Sequence, residues 1–174
     1  MFVTAELLYE LEACYEDRYR FTELFPKGVE LTRELIVKHA QEFDWQWCAE
    51  NLAGDEGLAA YRRATKPAYA AFQQTNRSAY AEYREAIKQS NYIYNHAIDV
   101  ASTAFRRFIY QEESLTDQEI EQAHIANNQA FEKAGKERDL AQAPAALVYE
   151  QAVEQATATL NIVRANAFAD AIGL

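Results

Sequence analysis

The chain has 174 residues, of which 49% are apolar and 13% aromatic, enough for one domain or for a small bundle with a long extension. Charged residues are 25%, with 5 Gly and 3 Pro, a composition that excludes disorder as the main state. The formal charge of −10 disfavours direct binding of nucleic acid by the whole chain, since it repels phosphate.

That charge is unevenly spread. Residues 1–57 carry 13 acidic and 5 basic side chains, residues 58–111 carry 3 and 8, and residues 112–174 carry 11 and 4. A basic segment between acidic ones can be matched inside the fold, or it can leave an acidic face free to meet a basic partner. No apolar run reaches the roughly 18 residues of a membrane span. The start, Met-Phe-Val-Thr-Ala-Glu, lacks the basic and apolar regions of a secretory signal, so a cytoplasmic protein is expected. Cys14 and Cys48 stand apart and read as small buried hydrophobes in a reducing compartment, while their spacing leaves a disulfide between them open.

A first helix is expected from the N-cap Thr4 to about Arg20, with Leu7, Leu8, Leu11, Cys14 and Tyr15 on one face. Pro26-Lys-Gly28 makes a turn. Thr32 caps a second helix with Leu35, Ile36 and His39 aligned, and Asp44 caps a third with Trp45, Trp47, Cys48 and Leu52, stopping at Gly54. Residues 1–57 thus read as a three-helix acidic head. A short helix from Gly57 precedes a break or kink near Thr65–Pro67.

From residue 58 a repeat appears. Tyr61, Phe72, Tyr83, Tyr94 and Phe105 recur at steps of 11, followed by the columns Ala64, Thr75, Ala86, Ala97 and Ala68, Ala79, Ser90, Ala101. Eleven residues make three turns plus about 20°, so each column keeps to one face of a nearly straight helix. The helix is expected to end near Glu112, and Thr116-x-x-Glu119 is a capping box for the next. Residues 117–140 read as weakly amphipathic, with Gly135 and Pro144 as weak points. The repeat returns beyond them in Ala145, Ala156, Ala167 and in Tyr149, Leu160, Ala171. The fold class is therefore all-α: a small N-terminal helical head followed by a long antiparallel helical hairpin, residues 58–174, turning near 112–117. If the aromatic column is the buried seam, truncating a member is expected to cost about 3–5 kcal/mol.

No catalytic motif is present, and no cofactor or metal set is expected. His39, His96 and His124 are scattered, and His39 with the two cysteines matches no zinc spacing. Tyrosines interleaved with Arg and Lys are a feature of single-strand binders, but their helical spacing favours a core stripe.

The units Pro67-Ala-Tyr-Ala-Ala-Phe72, Ser78-Ala-Tyr-Ala-Glu-Tyr83 and Asn166-Ala-Phe-Ala-Asp170 resemble the tandem Pro-Ala-x-Ala-x-Tyr units of a group of bacteriophage- and prophage-encoded proteins. Phe25-Pro-Lys-Gly-Val29 through Phe43-Asp-Trp45 is similar to their N-terminal regions. The resemblance implies a phage origin and, by association, an inhibitor of host defence such as an anti-CRISPR protein. It carries no catalytic residues. The function expected is a non-enzymatic acidic binding protein that occupies a basic surface on a host protein or ribonucleoprotein complex, with Glu112, Glu113, Asp117, Glu119 and Glu121 as candidate contact residues. The alternative is an assembly protein that pairs with its own copies, as a homodimer at the simplest, through its long helices.

Overall fold

The structure, a computed structural model, describes residues 1–111 and 115–174. It is all-α apart from one short β-pair, and it divides into two units, residues 1–76 with 153–174 and residues 77–152.

In the first unit β1 (Phe2–Val3) pairs antiparallel with β2 (Val29–Glu30). Four short helices surround this pair: α1 (Ala5–Glu10), α2 (Tyr15–Leu24), α3 (Arg33–Lys38) and α4 (Trp45–Leu52). Three caps stand where the sequence places them. Thr4 Oγ1 accepts from the Leu7 N–H and Thr32 Oγ1 from the Leu35 N–H, both at 3.2 Å, and Asp44 Oδ1 accepts from Gln46 and Trp47 at 2.9 and 3.1 Å.

The single helix expected over Thr4–Arg20 is instead two. Glu12 takes a left-handed conformation at φ 58°, and the Ala13 N–H closes on the Leu8 carbonyl at 2.9 Å, which ends α1. Cys14 then caps α2, its Sγ accepting from the Asp17 N–H at 3.4 Å. Cys14 is exposed, not buried as its apolar neighbours suggest, because its position at a helix start outweighs its hydrophobicity. Gly28, at φ 76°, has no room for a side chain, since a Cβ would stand 2.7 Å from the Val3 carbonyl oxygen.

Two long helices follow α4. The first, α5 (Gly54–Ala86), begins at the residue expected to stop α4, and α6 (Lys88–Gln111) follows after the one-residue interruption at Ile87. The Ile87 carbonyl accepts from the Asn91 N–H at 3.0 Å and from the Ser90 hydroxyl at 2.8 Å, a back-bond that loosens the turn. Pro67 does not break the helix. It lies inside α5 on the exposed side, close to the exposed Arg63, whose carbonyl receives no N–H from it. The last helix, α7 (Asp117–Ala171), runs uninterrupted through Gly135 and Pro144.

The core of the first unit takes side chains from its helices and from the end of the chain: Phe21, Ile36, Trp45, Ala49 and Tyr61 pack with Ala165, Ala167, Phe168 and Ala169. The boundary drawn at residue 57 therefore cuts through a core. Phe168 is fully buried with its ring 5.5 Å from Trp45, whose indole N–H donates to the Ala40 carbonyl at 3.1 Å. Gln41 joins the same two regions, donating to the Ala158 carbonyl at 2.9 Å and accepting from Asn161 at 3.1 Å. Arg33 meets Asp170 and the Leu174 carbonyl.

Both cysteines are free. The Cys48 thiol lines an apolar cavity of about 50 Å³, and burial, with the Asp44 and Asp17 carboxylates nearby, pushes it up to about 12. A thiol-specific reagent at neutral pH is expected to label Cys14 in the native protein and Cys48 only after unfolding. Rapid labelling of both would contradict this packing.

Candidate interaction surfaces

In the second unit the 11-residue repeat becomes a seam. Tyr83 lies 5.6 Å from Tyr149 ring to ring, and Tyr94 lies under the Arg138 guanidinium at 4.5 Å. Gln142 donates to Asn91 at 2.8 Å and to Ser90 at 3.2 Å. The partners in Tyr83–Tyr149, Ser90–Gln142 and Tyr94–Arg138 have residue numbers that add to 232 in every case, so α6 and the facing part of α7 are antiparallel in one constant register. Phe105 meets His124 one turn from the position this register gives, at 4.7 Å.

Burial follows three columns on each helix. Before and along α6 these are Tyr83, Tyr94, Phe105; Ile87, Ile98, Ile109; and Ala79, Ser90, Ala101, all half-buried. The column Ala86, Ala97, expected in the seam, is exposed, because a step of three residues turns about 65° away where a step of four turns about 35°. On α7 the columns begin well before Pro144: Ile120, Phe131, Gln142; Ala123, Ala134, Ala145; and Asn127, Arg138, Tyr149. Residues 117–140 read as weakly amphipathic because polar side chains hold seam positions. Arg138 does so by laying its stem along the helix and its guanidinium on a ring.

Half-burial of a tyrosine lowers the cost of its loss. Tyr83→Ala is expected to destabilise by about 1–2 kcal/mol, not the 3–5 of a fully buried ring, while the exposed Arg84→Ala stays within about 0.5 kcal/mol. Equal shifts in thermal melts would mean that the seam lies elsewhere. Tyr69 and Tyr92 are exposed by 46% and 66%, while Tyr80, 51% exposed, sets its ring 6.0 Å from Tyr149.

The candidate contact residues fall in different places. Glu112 and Glu113 lie outside the described residues. Asp117 and Glu121 are exposed on one flank of α7, in line with Glu132, Asp139 and Glu150 at steps of 11 and neighbouring turns. Glu119 lies on the other flank, and its carboxylate is occupied. It accepts from the Thr116 N–H at 2.8 Å and the Thr116 hydroxyl at 2.7 Å, while Thr116 Oγ1 accepts from the Glu119 N–H at 3.3 Å. The capping box is formed, and the Thr116 N–H holds the Glu119 carboxyl below its usual range. Beside the acids on this flank, Lys136 meets Glu132 at 2.5 Å and Arg138 meets Asp139 at 2.8 Å.

The histidines have separate contacts. His39 is buried between Phe25 and Phe43, with Nδ1 2.9 Å from Glu42 Oε1. Arg20, and after it His39, holds the Glu42 carboxyl below its usual range. His96 stacks on Tyr92 of its own helix. Among the described residues no three His, Cys, Asp or Glu side chains converge as metal ligands would.

A polar concavity of about 440 Å³ in the first unit is lined by Tyr61, Arg62, Lys66, Arg164 and Glu50 among others. Tyr61 is 3% exposed, its hydroxyl has no hydrogen-bond partner among the described residues, and burial pushes its phenol up to about 12 against the pull of Arg164. Tyr61→Phe removes an unsatisfied buried group and is expected to leave stability unchanged or raise it by about 1 kcal/mol. A loss of more than about 1 kcal/mol on urea unfolding would show that the hydroxyl is satisfied.

Among the described residues no helix is long and apolar enough to cross a membrane. Comparison of the chain with protein-family models, curated proteins and solved structures found no match.

Proposed function

We propose that this chain is a non-enzymatic, acidic helical binding protein that occupies a basic surface on another protein or ribonucleoprotein complex. The observation that carries the reading is the acidic row of α7. Asp117, Glu121, Glu132, Asp139 and Glu150 are all exposed and share one flank over about 50 Å of helix. Lys136 pairs with Glu132 and Arg138 with Asp139, so most of the row's net charge rests on Asp117, Glu121 and Glu150. A row of like charge on a stiff helix raises the rate of encounter with a basic groove and fixes orientation more than it adds affinity. As part of this proposal, the resemblance of the repeat units to those of phage proteins supports a target in a bacterial host: a nucleic-acid-handling or defence complex, inhibited in the cytoplasm in the manner of an anti-CRISPR protein.

The test is capture from a bacterial lysate with mass spectrometry, comparing the native chain with a variant carrying E112Q, E113Q, D117N and E121Q. Glu119 is left intact because its substitution would disturb the cap. The native chain is expected to hold a protein with a basic surface, more weakly as salt rises, and the variant to lose it. Capture indifferent to both salt and neutralisation would sink the proposal.

A further inference from the structure

Two helices joined along one seam leave both flanks of that seam open. In the second unit only Ala134, 6% exposed, is buried among the described residues, so these 76 residues lack a core of their own.

The flanks differ in chemistry. With the column Tyr83, Tyr94, Phe105 facing the partner helix, the repeat sets Ala97 and Phe108 about 65° to one side, with Ile93 and Ala104 about 100° round. The corresponding side of α7 carries Ala126, Ala130, Ala141 and Val148. Because the helices are antiparallel, these sides form one flank. Two grooves lie along it, one lined by Ala104 and Phe108 with Ala126 and Ala130 and with Glu119 and Gln122 beside them, the other by Ile93 and Ala97 with Ala134 and Ala141 and with Glu137 and Arg138 beside them. Large apolar side chains stand free there: Ile93 and Val100 are each 54% exposed and Val148 62%. The opposite flank carries Arg84, Lys88 and Arg106 on one helix and the acidic row on the other.

We propose that the apolar flank is a docking surface for a second copy of this chain, closing the second units of two molecules into a four-helix bundle about a two-fold axis. Three features point to a second copy. A two-fold interface needs knobs and holes on the same patch, and this flank has them: Ile93, Val100 and Phe108 project from α6, whereas α7 offers the alanine floor of Ala126, Ala130 and Ala141. The patch is about 35 Å long by roughly 20 Å wide, or about 700 Å² a side, close to the roughly 800 Å² per partner of a stable interface. Both helices repeat every 11 residues, so a second copy stays in step along its whole length.

Residues 77–152 carry 12 acidic and 8 basic side chains. Like net charges repel, so this association is expected to strengthen with salt, the opposite of binding through the acidic row. Failure of one proposal is thereby distinguishable from failure of the other.

The experiment is sedimentation equilibrium of the full chain across concentration and salt, with circular dichroism as the check on folding. The native chain is expected to form a dimer that tightens at high salt. I93E with F108E is expected to give a monomer of unchanged helix content, while N95E with R106E, on the polar flank, leaves the dimer in place. Should the double glutamate variant lose helix, the milder I93A with V100A decides, and is expected to raise the dimer dissociation constant about tenfold or more. A native chain that stays monomeric overturns the proposal. So does a dimer indifferent to the alanine pair, and so does a monomer that takes a different helical protein on this flank.

Discussion

Phe168→Ala is expected to destabilise the protein by about 3–5 kcal/mol, a large part of the 5–15 kcal/mol typical of a domain. The ring is fully buried and stacks on Trp45, whose indole N–H already serves the Ala40 carbonyl, so the indole cannot swing into the space without losing that bond. The cavity left would adjoin the existing one of about 50 Å³, which Phe168 lines, and voids that merge are harder to collapse. At about 2–4 °C per kcal/mol for a chain of this size, the melting midpoint drops by on the order of 10 °C. Gln155→Ala, exposed on the same helix, serves as the control and should stay within about 0.5 kcal/mol. A Phe168→Ala variant that melts with the control would detach the end of α7 from the core of the first unit.

A pair of glycines should respond to one substitution with opposite signs. Replacing a helical glycine by alanine ordinarily gains about 1 kcal/mol in propensity. At Gly135 a Cβ meets nothing within 4 Å, so Gly135→Ala should stabilise by about 0.5–1 kcal/mol. At Gly57 the same Cβ would stand 2.5 Å from the Ala171 carbonyl oxygen and 3.0 Å from the Ala53 Cβ. Backbone cannot rotate out of the way as a side chain can, and the helices must part. Overpacking then outweighs propensity, leaving Gly57→Ala worse by about 1–2 kcal/mol and Gly57→Val by about 3. Urea unfolding of the two alanine variants reads the sign directly. Gain at both sites would mean that α5 and the end of α7 do not approach so closely.

The features legible in the sequence are those set within a few residues. Thr4, Thr32 and Asp44 cap helices because a side-chain oxygen reaches an N–H two or three residues on, and Thr116 with Glu119 does so reciprocally. The aromatic column is legible because its period belongs to one helix. What escaped depends on partners far along the chain. Ala165, Phe168 and Ala169 look like more of the alanine repeat, yet they complete the core beside Ile36 and Trp45. The β-pair of Val3 with Val29 is too short to leave an alternating pattern. Glu12 breaks a periodic apolar run by a conformation that no turn residue announces. At the candidate site, composition singles out Asp117, Glu119 and Glu121 together. Helical geometry separates Glu119 from the other two, because a step of two residues crosses to another side of the helix, whereas a step of four returns close to the first.

The constant register of the second unit also bears on how such a chain can change length. The pairs Tyr83–Tyr149, Ser90–Gln142 and Tyr94–Arg138 each add to 232, so a stretch inserted in one arm finds its partners only if the other arm gains a matching stretch at the corresponding height. Eleven residues is the increment that keeps every side chain in its own column of the repeat. A tandem duplication of eleven codons in both arms would lengthen the paired helices without disturbing what faces inward. A single added residue would swing every later side chain through about 100°. The gene can therefore grow or shrink in paired quanta, and a frame-preserving slip of any other size is the lesion it tolerates least.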